Sequence, residues 1–568
     1  MSDTTIRSRQ PSVRRLPLAA PLRLARPSDM WFKPALSVVV ATAVPDLVLL
    51  AVDRLDLVMY TMAGSLCALY GHNLPYARRA RAVAGVVVAM IIGLAASLVA
   101  ASLTGSTAVL IAVGALLAAG QKTLCDATRI GPPGPVIFTF VTSAALFAPQ
   151  RLGQVPGHLA LTLGAGVIAW LVTAGPALLR REGPERRATA RALDAAAAYL
   201  ADPGHRTRHA AAAAVHAAWQ TLLAAGRPTP VRRALERLVV HAEAALAEGT
   251  LDASPAVPAP DPGRLRAWAR ETRARGPVPT PPPAPGTSEE LFGIEAERTA
   301  RRGGSRRDAR RALLRSLAPG SPLLPIGARA LIGCALAGYA SQAAGVGRPY
   351  WAIVTAASLY QANVTLSWNR ALQRTLGNLL GVLVFAAILP VSRTGPLALI
   401  GFCLFFGFAA EALITRNYWL GSVAVTPMAL LVLEFGGTHP AGELIGDRVL
   451  DTVIGAGVGI LAAMLVTNRR AAGRLEKALA ATDLARARAV HALAAPQPAP
   501  AALDAARREL TGSLVELREA DDTAAGEWWQ RALPQEQVLA AEQAGHRTLA
   551  ATATRRGPIA RAPENGAV

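Results

Sequence analysis

Arg370 and Arg374 stand four residues apart in SWNRALQR, between two apolar runs. That spacing puts both on one face of a helix. A guanidinium binds a carboxylate through paired N–H donors. With Gln373 beside them, these residues suit the gathering of an organic anion; fixing a loop on the cytoplasmic side is the other reading. Further ionisable residues sit inside apolar runs: Asp46 in VATAVPDLVLLAV, Glu411 in FFGFAAEALITRNYW, and Arg448 with Asp451 in GDRVLDTVIGAGVG. Charge in hydrocarbon is costly, so such groups face a bundle interior or a cavity. Asp46, Glu411 and Asp451 are candidate proton carriers. Arg448 and Asp451, three apart, share one helical face and are expected to form a structural ion pair. Glu411 lies about one turn from Arg416, so a pair at the membrane boundary is its alternative role. Tyr350 and Trp351 fit an outer aromatic belt, with substrate stacking as the alternative.

Other chemistries lack their residues. No glycine-rich loop ends in Lys and Ser/Thr to cradle a phosphate, which argues against an ATP-driven pump within this chain, and no His-Glu metalloprotease motif occurs. Cys67, Cys125, Cys334 and Cys403 have no metal-ligand spacing and read as small buried residues. No enzyme activity, cofactor or metal site is expected.

The elements that must position these groups are membrane spans. The chain is 52% hydrophobic and 17% charged, against about 25% charged in soluble domains. A net charge of +21 reads as cationic loops on the cytoplasmic side and not as a nucleic-acid surface. Six apolar segments of membrane-crossing length fall at roughly 34–52, 56–71, 82–103, 105–120, 134–149 and 157–179. Six more fall at roughly 324–345, 349–366, 374–391, 395–414, 417–435 and 449–467.

The expected organisation is a basic tail at 1–33, a first transmembrane block at 34–179 and an Ala-rich helical domain at 180–320 with a Pro-rich linker at 251–287. A second transmembrane block at 321–467 and a helical tail at 468–568 complete it. In the tail, the pair Trp528-Trp529 is expected to pack on the other cytoplasmic helices. Arginines and lysines concentrate in alternate connections, among them Arg78, Arg79, Arg81, Lys122 and Arg129. That bias places both termini and the middle domain in the cytoplasm. AGSLCALYGHNLPYARRARAVAGVVVAM and AASLYQANVTLSWNRALQRTLGNLLGVLV share a layout, and six spans separate them. The expected fold class is therefore all-α: a polytopic membrane protein of two six-helix blocks in parallel repeat.

RPYWAIVTAASLYQ followed by SWNRALQRTLGNLLG resembles the signature of the fusaric-acid-resistance-like family, which includes aromatic acid exporters. ALYGHNLPYARRAR, RNYWLGSVAVTPMALLVL and GDRVLDTVIGAGVGILAAML support the resemblance, which is strongest over 324–467. At 376–378 the chain reads LGN where many relatives carry Thr after the Gly. The resemblance implies a multi-pass cell-membrane protein exporting small, often aromatic, carboxylates on the proton gradient. Some relatives work with an adaptor protein. A passive anion channel and a structural or regulatory membrane protein are the alternatives. The expected partners are the lipid bilayer and a small organic anion, not nucleic acid; a homo-oligomer is left open.

Overall fold

The computed structural model describes residues 12–13, 17–24, 31–179, 182–225, 229–247, 261–274, 276–281, 321, 323–361, 363–465, 471–496, 500–527, 529–530 and 534–554. The chain is a polytopic all-helical membrane protein. Its first half holds α1 (Phe32–Ala51), α2 (Leu55–Leu69), α3 (Tyr76–Leu103), α4 (Thr107–Thr128), α5 (Pro135–Leu146) and α6 (Leu152–Leu178). A polar domain follows, with α7 (Gly183–Ala201), α8 (His205–Ala224), α9 (Pro230–Ala247) and α10 (Pro262–Arg273). The second half holds α11 (Leu323–Ala343), α12 (Tyr350–Leu359), α13 (Val364–Ser392), α14 (Pro396–Ile414), α15 (Tyr418–Glu434) and α16 (Ala441–Leu465). Three polar helices close the described chain: α17 (Ala471–Ala494), α18 (Pro500–Ala525) and α19 (Gln535–Thr554).

Eight of these helices are long and apolar enough to cross a membrane, and α2, α5, α12 and α15 are shorter. The order in each half is long, short, long, long, short, long. The pairings recur too. In the first half α6 packs on α1, α2 and α3, and α5 packs on α3 and α4. In the second half α16 packs on α11, α12 and α13, and α15 packs on α13 and α14. Across the halves α4 meets α11, and α14 meets α1. The three shortest, α2, α5 and α12, fall below the length needed to span hydrocarbon, and α15 is at its lower limit. The four short ones lie inside, and every residue of α12 is buried.

Helix starts follow local chemistry. Pro135 and Pro396 open α5 and α14 at their first helical positions, where a missing N–H costs nothing. Asn363 caps α13, its side chain accepting from Leu366 N, and Asn417 caps α15 by accepting from Trp419 N. The cap at Asn363 overrides the expected connection there. SWNRALQR is not a loop; it forms the first turns of α13, which runs 29 residues. Likewise α16 starts at Ala441, so Arg448 and Asp451 lie inside it and do not open it.

The polar domain has its own core around Leu193, Trp219, Leu222, Leu235 and Leu265. Helix α10 lies within the stretch expected to be an extended Pro-rich linker. Asp261 caps it, accepting from Gly263 N and Arg264 N, with Pro262 at the first turn. Residues 251–260, 275 and 282–287 of that linker, and Trp528 of the Trp528-Trp529 pair, lie outside the described residues. Helix α19 packs on α8, α9, α17 and α18, merging tail and middle segment into one helical body. This body docks on one end of the bundle, here termed the domain side. Asn363 Nδ2 donates to Asp522 O at 2.9 Å, and Thr365 N donates to Gly526 O at 2.9 Å. Arg329 of α11 and Arg129, after α4, pair with Glu527 and Glu519 at 3.8 and 3.2 Å. One departure from an all-helical chain is a two-residue antiparallel pairing of Ser12–Val13 with Trp529–Gln530.

Candidate functional site

Two glycines let α13 and α15 approach closely. A Cβ on Gly377 would sit 2.5 Å from Trp419 O, and one on Gly381 would sit 2.8 Å from Val423 O. Their four-residue spacing, which permits close helix contact, thus serves the approach to α15. Gly455 and Gly459 do the same for α16 against α12, meeting Ala352 O and the Leu359 side chain. These approaches draw α12, α13, α15 and α16 around one polar cluster. Asn378 ties three of them: its Nδ2 donates to Thr452 Oγ1 at 3.1 Å, and its Oδ1 accepts from Thr426 Oγ1 at 2.9 Å.

The cluster is rich in cations. Arg374 is buried ten residues into α13, roughly 15 Å along the axis. Its Nη1 donates to Tyr418 OH at 2.9 Å, while its Nε has no partner among the described residues. Arg370, one turn nearer the domain side, holds its guanidinium carbon 3.8 Å from the Tyr418 ring centroid. Arg448 comes in from α16 and is 1% exposed. Its guanidinium carbon lies 4.1 Å from the Trp351 ring centroid, and its Nε and Nη1 are buried without a partner among the described residues. Arg374 and Tyr418 both lie within electrostatic range of Arg448. A buried guanidinium with unused donors is energetically costly and is retained where it meets a charge.

The expected ion pair of Arg448 with Asp451 does not form. Stacking on Trp351 draws the guanidinium to one side of α16. Asp451 turns to α11, where its Oδ1 accepts from Ser341 Oγ, and its Oδ2 has no partner among the described residues. The ion pairs in this region lie outside the cluster: Arg348–Asp447 at 2.9 Å and Arg393–Glu434 at 2.8 Å. Both sit at the end away from the helical domain, because α13 ends and α16 begins there.

Trp351 also faces a second compartment. All four short helices meet at a small apolar cavity of about 20 Å³, lined by Met62, Ala63, Phe140, Tyr350, Trp351 and Val432 among others. That is room for a water and not for an aromatic ring. Tyr350 and Trp351 are buried here and do not form an outer belt.

The remaining candidates sit apart. Gln373 points to the domain side, where its Nε2 donates to Pro21 O at 2.7 Å and to Asn417 Oδ1 at 2.9 Å. Asp46 is 1% exposed in α1, and both its carboxylate oxygens lack a partner among the described residues. Glu411, on α14, makes no ion pair with Arg416 among the described residues. Tyr418 and Asn378 belong to the cluster although neither is a charged residue within a span. An amide in the apolar run of α13 was the available signal for Asn378; the ring of Tyr418 carries none in sequence.

The first half treats its own buried arginine differently. Arg79 is 5% exposed at the start of α3, and it donates to the carbonyls of Gly71, His72 and Leu74 at 2.9, 2.6 and 3.3 Å. Those bonds fasten a loop and leave little for a ligand.

Residues 336–462 match the family described as fusaric acid resistance protein-like. The uncharacterized membrane protein YvaC of Bacillus subtilis (strain 168) is 32% identical over 187 residues, which make up 32% of this chain and 28% of that protein. The match therefore spans under a third of that relative's length. No solved structure matches the chain. Arg370, Arg374, Tyr418, Arg448 and Asp451 all fall inside residues 336–462, the segment of this membrane protein that is similar to the fusaric acid resistance protein-like family.

Proposed function

We propose that the protein transports small organic anions, aromatic carboxylates foremost, through the second half of the bundle. The observation that carries this reading is the pair Arg374 and Arg448, whose guanidinium groups keep buried donors without partners among the described residues. A carboxylate is the natural complement of such donors. Arg370 and Tyr418 lead from the domain side to Arg374, and Trp351 offers a ring face beside Arg448. The apolar cavity behind Trp351 would widen to take an aromatic ring.

Asp451, near the arginines and with one carboxylate oxygen lacking a partner among the described residues, is the first choice for proton coupling. Asp46 and Glu411 are alternatives at a distance from the cluster. The arginines of the domain side support a cytoplasmic domain and termini in the cell membrane. The recurring order and pairings of the two halves support a parallel repeat, with the first half as scaffold.

The test is transport in proteoliposomes loaded with a panel of aromatic acids, with and without an imposed proton gradient. Gradient-dependent efflux that is lost in Arg374→Ala is expected. If no acid moves, or Arg374→Ala leaves efflux unchanged, the reading falls. Gradient-independent current in a planar bilayer would assign a passive anion channel instead.

A further inference from the structure

Residues Pro17–Leu24 run across the domain-side ends of α13 and α15, with one 3-10 turn at Ala20–Leu22. Side chains from both helices hold them. Trp368 Nε1 donates to Pro17 O at 3.0 Å, and Gln373 Nε2 donates to Pro21 O at 2.7 Å. Asn417 Nδ2 donates to Pro21 O and to Arg23 O, each at 2.8 Å. Trp419 Nε1 donates to Leu22 O at 3.2 Å. All of these bonds reach backbone carbonyls, so the groove reads the path of the segment more than its side chains. Pro17 and Pro21 lack an N–H and hold their φ, which lowers the entropy lost on docking. Pro21 is itself buried.

The donors occupy the same helical turns as Arg370, Arg374 and Tyr418. The segment therefore lies over the way from the domain side to the arginine cluster. Upstream, Ser12–Val13 pair with Trp529–Gln530, a few residues beyond the point where Gly526 docks on α13. The strap is thus tied at one end to the helical domain and at the other to α1.

We propose that the domain-side mouth is a peptide groove whose occupant is this chain's own residues 17–24, and that the docked strap closes the anion route. The closure, unlike the groove, rests on the transport reading above. A carboxylate arriving at the mouth competes with backbone carbonyls for the same donors, and movement of the helical domain pulls on the strap directly.

The experiment uses the full-length protein in lipid, spin-labelled at Leu18→Cys, an exposed position; the four native cysteines are buried. A triple variant, Trp368→Phe, Asn417→Asp and Trp419→Phe, removes donors while keeping the rings and the acceptor that caps α15. The label should be immobile in the parent. In the variant the ratio of free to docked strap should rise roughly tenfold or more, as expected for several lost hydrogen bonds, and initial anion efflux should rise severalfold. A mobile label in the parent, or an immobile one in the variant, overturns the groove. A freed label with unchanged efflux, in protein that does move anions, overturns the closure. If neither protein moves any anion, the transport reading and the closure fall together, while the label still decides the groove.

Discussion

Arg448 rests its guanidinium 4.1 Å from the ring centroid of Trp351 and leaves Asp451, one turn away on the same helix, to Ser341 of α11. The two groups could have formed a direct ion pair and instead take separate partners. A cation–π contact returns part of the desolvation cost of a buried cation, but it uses no N–H donor. The guanidinium edge stays available to a ligand.

Replacing Arg448 separates stability from activity. A buried charge with no ion-pair partner carries a desolvation cost of several kcal/mol, which an apolar chain of similar length removes. Arg448→Met should therefore melt no lower than the parent in detergent and should lose anion efflux. Arg448→Lys keeps charge without the planar fork, and should lower efflux at least about tenfold. A large drop in melting temperature for Arg448→Met would mark the residue as structural.

Close approach of α13 and α15 predicts a graded response to added methyl groups. Gly377→Ala brings a Cβ within 2.4 Å of Ser422 Cβ, whereas a Cβ on Gly457 meets nothing within 4 Å. The first change should cost about 1–3 kcal/mol by overpacking, and efflux should fall because α15 carries Tyr418. Gly457→Ala should be neutral or slightly stabilising through helix propensity. Thermal unfolding followed by size-exclusion of the solubilised protein compares them; equal effects would refute a tight α13–α15 seam.

The spans were legible because apolar length is the signal for a membrane helix. Where a charged stretch is itself helical, hydropathy ends the span early. That is why SWNRALQR read as a connection although Asn363 caps it as the start of α13. Arg374 was legible as an anion-binding type; its companion Arg448 was not, since i, i+3 spacing names a pair and cannot report Trp351 on a different helix. The strap was invisible for a related reason: its bonds join residues about 350–400 positions apart through backbone carbonyls, which every sequence has. Alternation of long and short helices was legible only in part. Apolar length alone makes 349–366 one span, whereas α12 stops at Leu359.

Docking of the helical domain hangs on a glycine. A Cβ on Gly526 would meet Asn363 Cγ at 2.1 Å, and Asn363 both caps α13 and holds Asp522 O. Gly526→Ala should push Asn363 from its cap, at a cost of about 1–2 kcal/mol. Amide exchange at Thr365, bonded to Gly526 O, should accelerate about tenfold or more. Unchanged exchange at Thr365 would show that the contact adjusts without loss.

The helical body should also respond to acid through His546. This histidine of α19 is buried, and burial, with His216 and Arg518 nearby, lowers its pKa from 6.5 to about 3. Its neutral form is the folded one, so its stabilising contribution is complete above pH 6.5 and is lost as pH falls toward 3. At pH 5 the loss is about 2 kcal/mol relative to neutral pH. Glu542, on the same helix, opposes this. Burial raises its pKa from 4.5 to about 7, against the pull of Arg518 at 3.0 Å. Its contribution is complete below 4.5 and is lost as pH rises toward 7. The parent should therefore show a shallow pH profile in which two slopes partly cancel. His546→Leu removes one of them: relative to the parent it should gain stability at pH 5 and gain little at pH 7.5. Circular dichroism melting at the two pH values reads this difference, and an equal offset at both would sink the assignment to His546.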